Sequence, residues 1–328
     1  MLLVDSLGLP SVGDLAMILL VALALDAILG DPPWLYRALP HPVALLGRLI
    51  DLAERRYNLE SARRSDLFLR GLLMVGAIVG GAFALGWVLS LLLTGIGGGW
   101  ILEALLASTL IAFRSLFDHA RAVAVALQQG LAEGRAAVAH IVGRDPQSLD
   151  ESGVARGAVE SLAENFSDGV VAPAFWYLLL GLPGLCAYKA INTLDSMLGH
   201  RTPRHEAFGK AAARLDDGAS FLPARLSGLI LVLASVFQRD ADPSAAWRIL
   251  LRDAPKHRSP NAGWQEAAMA GALGFALAGP RRYGKQVVQD AWMGEGRSEL
   301  TADDIQTALA LYLRAGAVLA TLVLLFVV

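Results

Sequence analysis

The sequence predicts an all-α polytopic integral membrane protein, a helical bundle with broken or re-entrant helices and cytoplasmic helical loops. Three observations carry this. Hydrophobic residues make up 55% of the 328 positions and charged residues only 18%, where a soluble domain averages about a quarter charged. Mean hydropathy is +0.49. The apolar residues gather in long runs, and residues 71–93 exceed the ~20 that cross a bilayer as one helix. A single membrane domain over 1–328 is therefore expected. Its apolar segments lie near 15–29, 71–93, 100–113, 170–187, 222–237, 264–278 and 307–328, with a soluble helical insert near 114–169.

Each element has a local reason. The first run stops at Gly30-Asp31-Pro32-Pro33, because proline cannot continue a helix. Residues 1–30 contain no Lys or Arg, and a cleavable leader needs a basic start, so this run is expected to stay as an anchor. The uncharged turn Thr94-Gly95-Ile96-Gly97-Gly98-Gly99 makes a hairpin of 71–93 and 100–113. Gly181-Leu182-Pro183-Gly184 interrupts 170–187 and predicts two half-helices. Segments 222–237 and 264–278 are short and fit re-entrant pieces; 307–328 closes the chain as an apolar helix. Within the insert, Ser148-x-x-Glu151 after Asp145-Pro146 reads as a capping box. Ala155, Val159, Leu162 and Phe166 then keep a 3.6-residue period. Thr301-x-x-Asp304 is a similar start before the last helix.

Charge placement gives an orientation. Of 28 Lys and Arg, seven lie in 31–70 and five in 114–169. The positive-inside tendency places both in the cytoplasm with the N-terminus outside. A net charge of −2 gives no case for nucleic-acid binding. The single cysteine, Cys186, excludes an intramolecular disulfide and argues against thiolate metal sites. In an apolar run it reads as a small hydrophobe.

Polar residues at apolar boundaries mark the candidate site, because an ionisable group stranded there needs a partner, a ligand or water. Asp26 lies inside the first run and Asp31 just after it, a pair suited to a divalent ion or a cationic group. His41-Pro42-Val43 places a histidine before an amphipathic helix. Glu160, Glu164 and Asp168 recur every four residues, within about 80° of one helical face, and with Asn165 they suit a hard cation such as Mg²⁺. Lys189, Asn192 and Ser196 share a stripe with Asp195 beside it, suited to a phosphate. Arg201 and Arg204 suit anionic groups, and Asp216-Asp217-Gly218 suits a metal or an Asx-turn. In Lys256-His257-Arg258-Ser259-Pro260-Asn261, Ser259-Pro260 reads as N-cap and first helical residue, and the rest as an anion site. Glu266, inside the following apolar run, needs a partner. No phosphate loop, GxGxxG after a strand, HExxH or GxSxG is present.

Taken in order, five motifs resemble the CbiB/CobD membrane proteins of cobalamin biosynthesis. They are Leu25-Asp26 with Gly30-Asp31-Pro32-Pro33, His41-Pro42-Val43 with Gly47, Glu160-Ser161-Leu162-Ala163-Glu164-Asn165 with Asp168-Gly169, Lys189-Ala190-Ile191-Asn192-Thr193-Leu194-Asp195-Ser196-Met197, and His257-Arg258-Ser259-Pro260-Asn261-Ala262-Gly263. The resemblance runs from about Asp26 to the final helix. It implies an adenosylcobinamide-phosphate synthase of the bacterial inner membrane, its site facing the cytoplasm. Such an enzyme joins (R)-1-aminopropan-2-ol, or its O-phosphate, to a propionate carboxylate of adenosylcobyric acid. It implies ATP as co-substrate and Mg²⁺ as cofactor. The expected partners are these small molecules and membrane lipid, with a homo-oligomer or other corrinoid-pathway membrane enzymes.

Laid against that chemistry, Glu160, Glu164, Asp168, Lys189 and His257 are the expected catalytic residues. His41, Asn165, Asn192, Ser196, Arg204 and Asn261 are expected to bind substrate, and Asp31, Glu164, Asp168 and Asp195 to bind metal. Two other classes compete. A permease would suit broken helices, and a non-catalytic signalling protein is suggested by distant similarity of the family to AmpE-type proteins.

Overall fold

The computed structural model describes residues 10–59, 61–142, 145–200, 202–283 and 286–327. In chain order the helices are α1 (Val12–Leu29), α2 (Pro33–Ala38), α3 (Pro42–Tyr57), α4 (Arg64–Thr94), α5 (Gly99–Ser108), α6 (Phe113–Gln129), α7 (Leu131–Val138), α8 (Glu151–Phe166), α9 (Ala172–Leu198), α10 (Lys210–Ala219), α11 (Phe221–Ser235), α12 (Pro243–Asp253), α13 (Ala262–Leu273) and α14 (Ala302–Leu324). Among the described residues, strands occur as two short antiparallel pairs. Strand β1 (Leu277–Ala278) pairs with β4 (Trp292–Met293), and β2 (Arg281–Tyr283) with β3 (Gln286–Val288). Five stretches among the described residues are long and apolar enough to cross a membrane: Val12–Leu29, Arg64–Thr94, Gly99–Gln129, Glu151–Leu198 and Ala302–Leu324. Lys210–Ala219 with Phe221–Ser235, taken as one broken span, makes a sixth.

The chain divides into two compact units: Met1–Ala112, Ala172–Ser220 and Val323–Val328 form one, Phe113–Val171 and Phe221–Leu322 the other. The first is built around α4 and α9. Gly86 permits their close approach, since a Cβ there would lie 2.8 Å from Pro183 Cα and 2.9 Å from Leu182 O. The expected break in 170–187 falls at Gly181, whose φ of 65° and ψ of −155° leave the helical region inside α9; glycine reaches such angles without Cβ strain. Ile50 of α3, Met74 and Val75 of α4, Leu194 and Leu198 of α9, and Phe208 form a buried cluster.

In the second unit α8 and α13 are largely buried. Ala155, Val159, Leu162 and Phe166 are all interior as their period predicts, but so are Val154, Ala158 and Ala163. Tyr312 of α14 stacks on Phe113 with ring centroids 4.6 Å apart and donates its hydroxyl to Phe113 O at 2.9 Å; Phe166 meets the Tyr312 ring edge-on.

Several local expectations are corrected. Ser148 does not cap α8: it ends a short 3₁₀ turn, Pro146–Ser148, and bonds back to Asp145 O. Asp150 is the cap, accepting from Gly153 N at 2.7 Å; it stands directly before the helix and carries a charged acceptor. Ser259-Pro260 does not begin α13, which starts two residues later, although Ser259 Oγ still accepts from the amides of Asn261 and Ala262. Asp216 and Asp217 lie inside α10, so neither makes an Asx-turn. The start signal at Thr301 holds: Asp304 accepts from both the Thr301 amide and hydroxyl.

Candidate functional site

The candidate residues fall on both units. Asp31, His41, Lys189, Asn192, Asp195, Ser196 and Arg204 belong to the first; Glu160, Glu164, Asn165, Asp168, His257 and Asn261 belong to the second. Arg201 lies outside the described residues.

In the first unit α1 ends at Gly30, whose amide bonds Asp26 O, and Asp26 is buried in the last turn. His41 caps α3: its Nδ1 accepts from Val43 N at 3.1 Å. That acceptor role puts the ring proton on Nε2, which lies 3.5 Å from Asp31 Oδ1. The Tyr36 ring stacks obliquely on His41 at 4.6 Å. Burial, reinforced by the Asp31 and Asp26 carboxylates, raises the Tyr36 hydroxyl above its ordinary pKa. Asp31 is therefore engaged by an imidazole rather than presented alone.

Lys189, half-buried on α9, lines a pocket of about 260 Å³ whose walls include Pro42, Val43, Leu46, Leu85 and Leu182. A lysine is thus held in apolar surroundings beside the first turn of the helix that His41 caps. One and two turns on, Ser196 Oγ bonds Asn192 O and Asp195 faces Asp217. Asp216 of α10 has Asp195 and Asp217 as charged neighbours and Asn192 alongside. Its Oδ1 is buried without a hydrogen bond. Arg204 is held by Glu54 through two contacts of 2.8 and 2.9 Å. His205 Nε2 lies 3.4 Å from the same carboxylate, and Asn58 bonds both Glu54 and Arg204 O. The Arg204 guanidinium, against the effect of burial, holds Glu54 below its ordinary pKa. Arg204 accordingly braces the loop after α9 and has one carboxylate partner already.

In the second unit the three acidic residues sit in different surroundings. Glu160 is buried and accepts from Ala278 N at 2.8 Å, fixing β1. Glu164 is exposed. Asp168, half-buried, sits in a π-helical turn, Ser167–Val171. Asn165 spends its amide hydrogens on Ser161 O and Oγ, which leaves its oxygen as the acceptor to offer.

His257 Nδ1 accepts from Ser259 N at 3.0 Å. Its Nε2 points to Glu266, 3.8 Å away and buried, so this carboxylate has an imidazole beside it. Asn261 Oδ1 accepts from Arg225, whose guanidinium lies over the Phe221 ring at 3.4 Å and the Trp264 ring at 4.6 Å. Asp253, fully buried, binds Arg252, Lys256 and the Gly294 amide. Burial alone would raise its carboxyl, but these three donors outweigh it and hold the pKa at about 2.

Sequence reasoning missed Tyr36, Glu54, Arg225 and Glu103. Glu103, buried within α5, accepts from Tyr177 Oη at 2.7 Å and Ser90 Oγ at 3.2 Å. A signal existed for two of them, since Glu103 and Arg225 are charges inside runs scored as apolar, where an ionisable residue is notable by default. Among the described residues no three His, Cys, Asp or Glu side chains gather as a ready-made metal site.

The comparisons with known proteins place the chain in a family. The family model described as CobD/Cbib protein matches residues 19–312, which contain all five motifs. The chain belongs to the CobD/Cbib family. Relatives named Cobalamin biosynthesis protein CobD include one from Brucella anthropi, 49% identical over 90% of this chain and 92% of the relative. Another, from Rhizobium meliloti, is 47% identical over 93% and 95%. A third, from Rhodobacter capsulatus, is 46% identical over 92% and 94%. No solved structure matches the chain.

Proposed function

We propose that this protein serves cobalamin biosynthesis as a membrane-bound amide ligase of the cell membrane. It joins (R)-1-aminopropan-2-ol, or its O-phosphate, to a propionate carboxylate of adenosylcobyric acid at the expense of ATP, with its site toward the cytoplasm. The observation that carries this reading is that the matched residues 19–312 include every one of the five motifs.

A carboxylate is a poor acyl donor. On this reading the terminal phosphoryl group of ATP passes to a carboxylate oxygen, and the amine nitrogen then attacks the acyl carbon. Phosphate leaves, the C–N bond forms and the amine loses a proton. Phosphoryl transfer depends on positioning and charge neutralisation. Lys189 suits the phosphate, as a point charge in apolar surroundings where electrostatics are strengthened. His257, whose Nε2 faces the buried Glu266, suits taking up the proton that the amine loses.

Mg²⁺ is held by one or two carboxylates and otherwise by water and phosphate oxygens, so no all-protein cage is required. Asp216 Oδ1, buried and without a hydrogen bond beside Asp195, fits such a cation; Asp195 and Asp216 would hold it. When bound it would neutralise phosphate charge.

The test uses purified protein in nanodiscs with adenosylcobyric acid, ATP, Mg²⁺ and each amine, followed by mass spectrometry of the corrinoid. A corrinoid heavier by one amide-linked aminopropanol or its phosphate is expected. An unchanged corrinoid with both amines removes the ligase reading.

A further inference from the structure

Helix α3 has three faces. At about 100° per residue, Ile50, Ala53 and Glu54 point into the protein, Ile50 and Ala53 within the cluster around Leu194 and Phe208. Leu45, Leu49, Leu52 and Arg56 fall within about 60° of one another on a second face. These leucines are exposed, Leu52 at 66%. Arg48, Asp51 and Arg55 make the third face, with Asp51 and Arg55 paired at 2.9 Å. One side on protein, one apolar and one charged is the pattern of a helix lying in the membrane–water interface.

The leucine face ends at Arg56, beside the start of α4. There a pocket of about 590 Å³ is lined by Arg56, Tyr57, Leu59, Arg70, Leu73 and Ala77. Arg70 is the last charge before the apolar run of α4, so the pocket straddles the level at which the chain enters hydrocarbon. Leu73 is 64% exposed. No described acidic residue lines the pocket.

We propose that this pocket binds an anionic phospholipid, its phosphodiester between Arg56 and Arg70 and an acyl chain along Leu73, Ala77 and the α3 leucines. Two guanidiniums select a negative head over a zwitterionic one, since basic pockets at transmembrane helices recognise anionic headgroups. The apolar walls select a lipid over a soluble anion, because burying hydrocarbon there removes exposed leucine from water.

Native mass spectrometry in mild detergent tests this, with added phosphatidylglycerol or phosphatidylcholine. Phosphatidylglycerol is expected to bind in preference. R56Q/R70Q should lower its bound fraction on the order of ten-fold. Ala77→Trp, which keeps both arginines and fills the groove, should lower it as well; thermal melting of each variant reports folding, and Ala77→Trp decides if the double variant melts early. Excess inorganic phosphate should not displace the lipid. Equal binding of phosphatidylcholine, binding insensitive to Ala77→Trp, or displacement by phosphate would overturn the proposal.

Discussion

Lys189 shows how one side chain separates two physical demands. A lysine that only reaches from an apolar helix toward water needs length and charge, and arginine supplies both. A lysine that binds phosphate acts as a compact point charge, and a planar guanidinium misplaces it. Lys189→Arg is expected to lose activity on the order of ten-fold or more, about 1.4 kcal/mol of transition-state stabilisation, in the corrinoid assay; normal turnover would return Lys189 to an anchoring role. Glu164 and Asp168 invite a similar contrast with Glu160. Glu160→Gln keeps an oxygen for the Ala278 amide and should be tolerated. Glu164→Gln and Asp168→Asn should stay folded yet lose turnover, and near-normal rates for both would show that neither carboxylate serves the reaction. Asp253 makes a prediction about pH. Its pKa of about 2 lies below the usual 3.8, so its contribution, about 2 kcal/mol, is full above roughly pH 4 and fades as pH falls toward 2. The gap in melting temperature between wild type and Asp253→Asn should shrink over that window; a constant gap would show that the carboxylate charge is not what stabilises.

At the level of elements, glycine and proline decide how the helices meet. Gly86 faces the backbone of Leu182 and Pro183 at distances no side chain could tolerate, and backbone cannot turn aside as a rotamer can. Gly86→Leu is therefore expected to destabilise the protein by about 1–3 kcal/mol, read as a lower melting temperature in detergent. An unchanged melting curve would mean that α4 and α9 can separate without cost. The break at Gly181 was legible in the sequence because Gly-Leu-Pro-Gly is a local instruction. The cap at Asp150 was misassigned although it too is local, because Ser148 and Asp150 both suit an N-cap. The π-turn at Ser167–Val171 was not legible, since its wider bonding follows from packing.

For the whole molecule, orientation remains the clearest testable expectation. Twelve Lys and Arg lie in 31–70 and 114–169, and none in 1–30 or the 94–99 turn, so the first two regions should face the cytoplasm. On a Cys186→Ala background, single cysteines there should resist a membrane-impermeant thiol reagent in intact cells and react after lysis. Labelling from outside would reverse the assignment.

Hydropathy and spacing by themselves determined that this is a helical membrane protein and where most of its apolar helices run, because these are short-range properties, written in composition and periodicity. The tie to the CobD/Cbib family came instead from the resemblance of five motifs and the family match. Tertiary structure alone decided what each buried charge does. Glu54 meets Arg204 across 150 positions and Glu160 meets the Ala278 amide across 118; Glu103 meets Tyr177. A linear sequence shows that a buried carboxylate must be satisfied, but the partner is set by which distant backbone or side chain packing delivers to it.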